Sequence, residues 1–453
     1  MKIIVIGDII LDTNHHCNTT RNAPEANIPV YNVINTDNIL GGAGNVAKNL
    51  HNLDCIVEII SVIGNDYAGS YIQKLLTDND IKNTLFIDNC RKTTHKNRIF
   101  CNSVLVNRYD IEDTHDISVD FEWQIIQYIK SIVDIDAIIF SDYNKGVLTH
   151  RVCEELIAYA NANNILTFVD PKPAGVIKYK NCFCLKLNLV EGENISGKKS
   201  KNDILKFLKT YFQCRHIILT CGENGLYVDS INQHIYNNFP INVVDVTGCG
   251  DTVLVIVAYM YLKTGDIIQS SKIANHVARK CVEVIGNKEI NKMDLDDYID
   301  IILLDTEIHK IVSLTQLGKD IIFTNGCFDI VHSAHIKLLQ YSKKIGDILI
   351  VALNTDDSIK KLKGKTRPIN NIYDRCDFLL SLGIVDYIIV FNDDTPEKIL
   401  SYLKPNKIVK GGDYKKEEII GGKYADEIII YDYISGFSST NIINKIAICN
   451  TLQ

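Results

Sequence analysis

Two short segments of this chain place chemically capable side chains at the start of a helical run. The first, Asp245-Val-Thr-Gly-Cys-Gly-Asp-Thr252, leads into an almost unbroken apolar stretch, Val253–Leu262. Glycines at 248 and 250 let the backbone fold tightly, so that successive amides and a helix N-terminus face one point and form an anion hole. Fixed donors of that kind stabilise the charge that spreads over a γ-phosphoryl group in transfer. Asp251 is placed to accept the proton of an attacking hydroxyl; taken alone, it reads first as a helix cap. The second segment, Thr324-Asn-Gly-Cys-Phe-Asp-Ile-Val-His-Ser-Ala-His335, follows an apolar run and precedes a helical one that ends near Ile345. His332 and His335, three apart at a helix start, can both face an anion over its N-terminus. There they would stabilise charge as an α-phosphate is attacked and pyrophosphate leaves. By themselves they read first as a metal site or a pair of surface histidines, although zinc helices more often space their ligands by four.

Further groups extend both segments. Gly41-Gly-Ala-Gly-Asn45 opens a helical run as a loop that approaches a substrate closely would. Asn188-Leu-Val-Glu191 puts an amide and a carboxylate at helix-start spacing, suited to holding a hydrated magnesium near ATP phosphates. Lys96, Arg98 and Lys172 are candidate cations for a phosphate on the substrate, and each also fits a solvated surface charge. Gly192-x-x-x-x-Gly197-Lys198 has the outline of a P-loop. However, Lys199 fills its Ser/Thr position and no strand leads into it, so a solvated loop is expected.

The Gly-Gly-x-x-Asn loop, Asn-x-x-Glu and Gly-Cys-Gly-Asp resemble the ribokinase-like (phosphofructokinase-B) family, with Cys249 in an Ala position. Arg21-Asn-Ala-Pro-Glu25, Lys96-Asn-Arg98, Arg108-Tyr-Asp110, Ser141-Asp-Tyr-Asn-Lys-Gly146 and Val169-Asp-Pro-Lys172 are similar to the kinase half of the bacterial bifunctional heptose-7-phosphate kinase/heptose-1-phosphate adenylyltransferase family. Val104-Leu105 replace a Gln pair of that pattern, and Asn144 replaces a Gly. Gly326-Cys-Phe-Asp329, Lys410-Gly-Gly-Asp-Tyr414 and Gly436-Phe-Ser-Ser-Thr-Asn-Ile-Ile443 resemble the cytidylyltransferase-like nucleotidyltransferases, whose His-x-Gly-His has Ala334 here in its Gly position. The likeness to the bifunctional family runs collinearly from Ile3 to Ile446.

That resemblance implies an α/β fold: a ribokinase-like α/β sandwich with a small β lid from residues 12–36 and 93–110, then a Rossmann-like nucleotidyltransferase domain with a parallel sheet. It implies that MgATP phosphorylates C1 of heptose 7-phosphate with Asp251 as base, and that a separate phosphatase removes the 7-phosphate. Heptose 1-phosphate and ATP would then give ADP-heptose and pyrophosphate, with His332 and His335 stabilising the transition state. On the sugar side it implies Asp12, Gly42, Asn45, Lys96, Arg98, Asp142 and Lys172. For the kinase ATP it implies Asn188, Glu191, Thr220, Gly222, Gly225, Gly248, Cys249 and Gly250, with Asn188 and Glu191 reaching Mg2+ indirectly. For the second nucleotide it implies Thr324, Asn325, Gly326, Phe328, Lys344, Asn354, Asp356, Arg367, Lys410, Gly411, Asp413, Ser438, Ser439 and Thr440. Lids of the family often pair between subunits, which implies a homodimer through the kinase. The same chemistries on another sugar phosphate or with CTP remain open, as does a nucleotide-binding scaffold without turnover, because of Ala334, Cys249 and the altered lid.

Elements that position these groups are legible as apolar runs. Ile3–Ile6, Ala137–Phe140, Leu166–Val169 and Ile217–Leu219 read as buried strands of a parallel sheet, each followed by the Gly, Asp or Asn cluster where such sheets bind ligands. A second series restarts at Ile321–Phe323 and continues through Ile348–Leu353, Tyr387–Phe391 and Lys407–Val409. The 453 residues therefore divide into two domains, with the boundary expected near residue 305: a kinase over 1–304 and a transferase over 305–453. Asp294–Leu317 is expected to be helical, with Leu295, Ile299, Ile302 and Leu303 on one stripe. A net charge of −7 argues against duplex nucleic acid or anionic membrane as partner. The 14 cysteines show no Cys-x-x-Cys pair, and Cys182 and Cys184 are expected as buried thiols on one face of a strand. With no signal-peptide pattern and no long apolar run, a reducing cytoplasm is expected.

Overall fold

Runs of β-branched residues become strands and amphipathic runs become helices in a computed structural model that describes residues 1–172, 175–230, 233–235, 243, 245–246, 248–283, 289–296, 302–305, 308, 311, 318–364, 366–412 and 415–431. Contacts divide the chain into two compact units, with the change between residues 298 and 299.

The strands of the N-terminal unit are β1 (Lys2–Gly7), β2 (Ile9–Asn22), β3 (Pro29–Gly42), β4 (Ile56–Gly64), β5 (Lys82–Asp88), β6 (His95–Cys101), β7 (Val104–Ile111), β8 (Ala137–Ser141), β9 (Leu166–Asp170), β10 (Cys184–Asn188), β11 (His216–Thr220), β12 (Leu226–Val228) and β13 (His234–Ile235). Nine of them form one sheet in the order β13-β12-β11-β10-β9-β8-β1-β4-β5. It is parallel from β11 to β5, with β12 and β13 added antiparallel at one edge. Both faces are covered, which is why β1 is apolar throughout: Ile3 and Val5 enter one core while Ile4 and Ile6 enter the other. The remaining four strands make the expected lid, in the order β3-β2-β6-β7. Every residue of β7 is exposed.

The C-terminal unit carries β14 (Ile302–Leu304), β15 (Ile321–Gly326), β16 (Ile348–Asn354), β17 (Tyr387–Phe391), β18 (Lys407–Gly411) and β19 (Glu427–Tyr431). They lie in the order β14-β17-β16-β15-β18-β19, all parallel. In both units the loops after the strands' carboxyl ends hold the motif residues, as open α/β sheets require.

Two expectations need correction. Ile302–Leu304 is not helical: it pairs in parallel with Ile388–Val390, so these residues belong to the second sheet rather than to the first domain. A run of three apolar residues is too short for periodicity to separate helix from strand, and the open edge of β17 decides it. Cys182 and Cys184 do not share a face, because β10 starts only at Cys184; one thiol packs into each core. All cysteines among the described residues are free. Among the described residues, no helix is long and apolar enough to cross a membrane.

Candidate active sites

The helix Cys249–Thr264 is buried continuously from Asp251 to Tyr259, as an apolar sequence without a polar face demands. Gly248 caps it with φ 75°. Asp251 is thereby carried into the interior, 4% exposed. Tyr143 Oη donates to its two carboxylate oxygens at 2.9 Å each, and Asn45 Nδ2 donates to Oδ2 at 3.0 Å. Burial and neighbouring Asp170 push the carboxyl pKa up to about 6, against the lowering influence of Asn45, Tyr143 and Lys186. A carboxylate so tuned is charged at pH 7 yet basic enough to take a hydroxyl proton. The helix N-terminus favours the same charged form.

Two segments deliver its partners. Asn45 comes from the helix Ala43–Asn52, entered through Gly42 at φ 57°, where any side chain would collide with the Asp8 carbonyl. Tyr143 follows β8 in a turn pinned by Asp8, whose carboxylate accepts from the amides of Tyr143, Lys145 and Val147 at 2.9, 3.0 and 3.1 Å. Asn144 has φ 58° in that turn; Asn tolerates the left-handed region better than most residues, so replacing Gly there leaves the turn intact. Lys96 and Lys172 lie over the Tyr143 ring at 5.1 and 5.4 Å, while Arg98 pairs with Asp12 at 2.7 Å. Asp142, expected to contact substrate, is instead engaged by Tyr179 at 2.5 Å and Lys178 at 3.0 Å, and is 2% exposed. Its distance from solvent follows from the loop's need for an internal brace.

Beside Asp251 opens a cavity of about 590 Å³, and all eight residues expected to hold ATP line it, together with Lys172, Asp170 and Lys186. Asn188 and Glu191 form a reciprocal cap: Asn188 Oδ1 accepts from the Glu191 amide at 2.8 Å and Glu191 Oε2 from the Asn188 amide at 2.9 Å. Lys172 donates to Glu191 Oε1 at 3.1 Å. With both oxygens already engaged, Glu191 suits a water-mediated hold on Mg2+ better than direct ligation. Among the described residues, no group of three His, Cys, Asp or Glu is arranged to hold a metal. The Cys249 thiol is pushed up to about 12 by burial and by Cys281, Asp245 and Asp251. It stays neutral, so it adds no charge against a phosphate. The P-loop lookalike is the end of the helix Leu189–Ser196, closed by Gly197 at φ 66°.

In the C-terminal unit, His332 is the N-cap of the helix Ser333–Lys344. The rings of His332 and His335 stack at 3.9 Å between centroids, and His335 also meets Phe328 at 5.0 Å. Burial, then His332 and Lys363, push His335 down to about 4; burial lowers His332 as well. Two neutral imidazoles can stack, whereas two charged ones would repel. Thr324, Asn325 and Gly326 end β15, Asn354 ends β16, and Lys410 and Gly411 end β18. Lys410 Nζ donates to the Asn325 carbonyl at 3.2 Å. Asp356 opens the helix Asp356–Lys363, and Arg367 pairs with buried Asp329 at 2.5 Å. Lys344 does not join them: it is exposed in the last turn of its helix, about 16 Å along the axis from His335's end. Asp413, Ser438, Ser439 and Thr440 lie outside the described residues.

Sequence reasoning did not single out Tyr143, Asp170, Lys186 or Arg375 as site members. Arg375 is fully buried, donating to the carbonyls of Cys327 (2.8 Å), Asn354 (2.9 Å) and Asn370 (3.2 Å) and to Asp356 at 2.7 Å. It locks the loops on either side of the histidine helix. The readable signal for Lys186 was a lone cation inside an apolar strand.

Residues 1–292 match the pfkB family of carbohydrate kinases, and residues 323–445 match the cytidylyltransferase-like family. Proteins called bifunctional protein HldE are similar over nearly the whole chain. That of Campylobacter jejuni subsp. doylei is 37% identical across 98% of this chain and 97% of its own length. That of Helicobacter hepaticus is 37% identical across 98% and 96%. The phosphofructokinase-2 of Escherichia coli superposes with TM-score 0.55 at 14% identity, covering 65% of this chain and 97% of that one, which shows a shared fold.

Kinase kcat/KM should fall as pH drops through about 6, where Asp251 takes up a proton. Tyr143→Phe removes a bond that favours the carboxylate, so the limb should move to higher pH; an unmoved limb in a pH–rate series would refute the contact's role. Arg375→Met leaves Asp356 and three carbonyls without their donor and should cost roughly 3–5 kcal/mol. Chemical denaturation would register this as a lower midpoint for the C-terminal unit.

Proposed function

The chain belongs to the bifunctional HldE family, a pfkB-type carbohydrate kinase joined to a nucleotidyltransferase, and from that premise we propose that it makes ADP-heptose from heptose 7-phosphate in two ATP-dependent reactions. The observation that carries the reading is Asp251, tuned to about 6 and lining the same cavity as the eight residues expected to hold ATP.

In the first reaction, Lys96 and Arg98 from the lid and Lys172 from the loop after β9 meet the sugar phosphate, and Tyr143 with Asn45 orients Asp251 toward the C1 hydroxyl. Asp251 accepts the hydroxyl proton as its oxygen bonds to the γ-phosphorus and the bond to ADP breaks. The amides around Gly248–Gly250 hold the transferring oxygens without reorganising. Mg2+ supplies charge neutralisation at the phosphates when bound, and Glu191 would hold it through water. After a separate phosphatase has removed the 7-phosphate, the C-terminal site takes heptose 1-phosphate. Its phosphate oxygen attacks the α-phosphorus of ATP directly and pyrophosphate leaves. His332 and His335, neutral in the free protein, donate to the phosphates over the start of their helix. Thr324, Asn325, Gly326, Phe328, Asn354, Lys410 and Gly411 stand at the carboxyl ends of the strands beside it. The reading includes a cytoplasmic location and no nucleic-acid partner, and it includes a homodimer through the lid, supported by exposed Val104, Leu105 and Val106 on β7.

Incubating the purified chain with heptose 7-phosphate, ATP and an added phosphatase should yield ADP-heptose by mass spectrometry. Turnover only with another sugar phosphate, or with CTP, would replace the substrate assignment; nucleotide binding without turnover at either site would favour a scaffold. Asp251→Asn should lower kinase turnover roughly 10²- to 10⁴-fold with adenylyl transfer intact, and His335→Ala should do the converse. Loss of both activities in either variant would contradict two independent sites. Light scattering should give a dimer that Leu105→Glu converts to a monomer.

A further inference from the structure

Lys186 is the charged residue in the strand Cys184–Asn188, whose Leu185 and Leu187 fill one core while Cys184, on the face Lys186 shares, packs into the other beneath the helix Cys249–Thr264. Its side chain is 5% exposed and reaches the cavity wall. Asp170 Oδ2 accepts from it at 2.7 Å. A methyl group added at Gly250 would stand 2.8 Å from Lys186 Nζ, so the ammonium lies directly against the glycine turn. An ammonium has three donors, and Asp170 answers one. Asp170 Oδ1, also buried, has no hydrogen-bond partner among the described residues. A buried cation held by one carboxylate oxygen, lying against the glycine turn that opens a helix, matches a ligand that is both anionic and rich in acceptor oxygens.

We infer that Lys186 is a catalytic cation of the kinase reaction, contacting the γ-phosphoryl group of ATP over Gly250 as that group passes to the sugar hydroxyl. Lys186 keeps its protons throughout. The bond from the γ-phosphorus to the β–γ bridging oxygen breaks, the bond to the sugar oxygen forms, and the hydroxyl proton goes to Asp251. The inference rests on the kinase reading of this cavity.

Inhibition constants for a non-hydrolysable ATP analogue and for ADP, both read from sugar-phosphate phosphorylation, report on this site alone. Lys186→Met should lower kcat by roughly 10²- to 10³-fold, the range for loss of one transition-state donor. It should also weaken the analogue at least tenfold more than ADP. The double variant Asp170→Asn/Lys186→Met removes both charges and should stay as slow as the single variant. Recovery of kcat in the double variant, or equal weakening of the two inhibitors, would overturn the inference and leave Lys186 as a neutraliser of Asp170. Unaltered thermal unfolding of the double variant separates these outcomes from misfolding. A parent protein that phosphorylates no sugar phosphate would overturn the kinase reading itself, and this inference with it.

Discussion

A carboxylate sunk into the first turn of an apolar helix must be met by donors or it takes up a proton, and the N-terminal unit is organised around that requirement. Asp251 draws one donor from the helix after β3, one from the turn after β8 and a nearby cation from β10. None of those segments is close to it in sequence. Each is brought there by the parallel order of the sheet, and the Tyr143 turn is itself held by a second buried aspartate, Asp8. Chemistry at Asp251 is thus a property of strand order before it is a property of the residue.

The C-terminal unit solves the corresponding problem with the opposite sign. There the organising group is a buried guanidinium, Arg375, whose planar fork gathers carbonyls from the ends of β15 and β16 and from the turn before its own helix. Asp329 mirrors it by accepting from the amides of Ile369 and Asn370 at 2.8 and 2.9 Å. The histidine pair sits between these two clamps in sequence and needs no charge of its own. Burial keeps both imidazoles neutral, which lets their rings stack in the absence of a polyanion.

Much of this was legible from residue types alone. β-branched runs such as Ile3–Ile6 and Ile348–Leu353 had only one way to bury both faces, and the glycines at 42 and 248 marked turns with positive φ, the first of them closed to any side chain by the Asp8 carbonyl. What escaped was pairing across the fold. Tyr143 reads as another aromatic until its hydroxyl is seen between the oxygens of Asp251, and nothing in the sequence ties Asp142, implied on the sugar side, to Tyr179 and Lys178. Lys344 was misplaced because a motif match carries no information on how far a helix travels before reaching it. Asn188 and Glu191 show in the sequence as a helix-start pair; that Lys172 would engage the second carboxylate oxygen does not.

The short strand Ile302–Leu304 has a practical bearing on how the two halves of the gene can be parted. Because it covers the outer side of β17, a polypeptide begun at 305 would present a row of unanswered amides and carbonyls along Tyr387–Phe391, five residues that are buried in the intact protein. Bare apolar borders of that kind recruit other chains. Genes that encode the transferase separately would therefore have to retain the Ile-Leu-Leu tripeptide ahead of it, or supply another cover, to yield a monodisperse product.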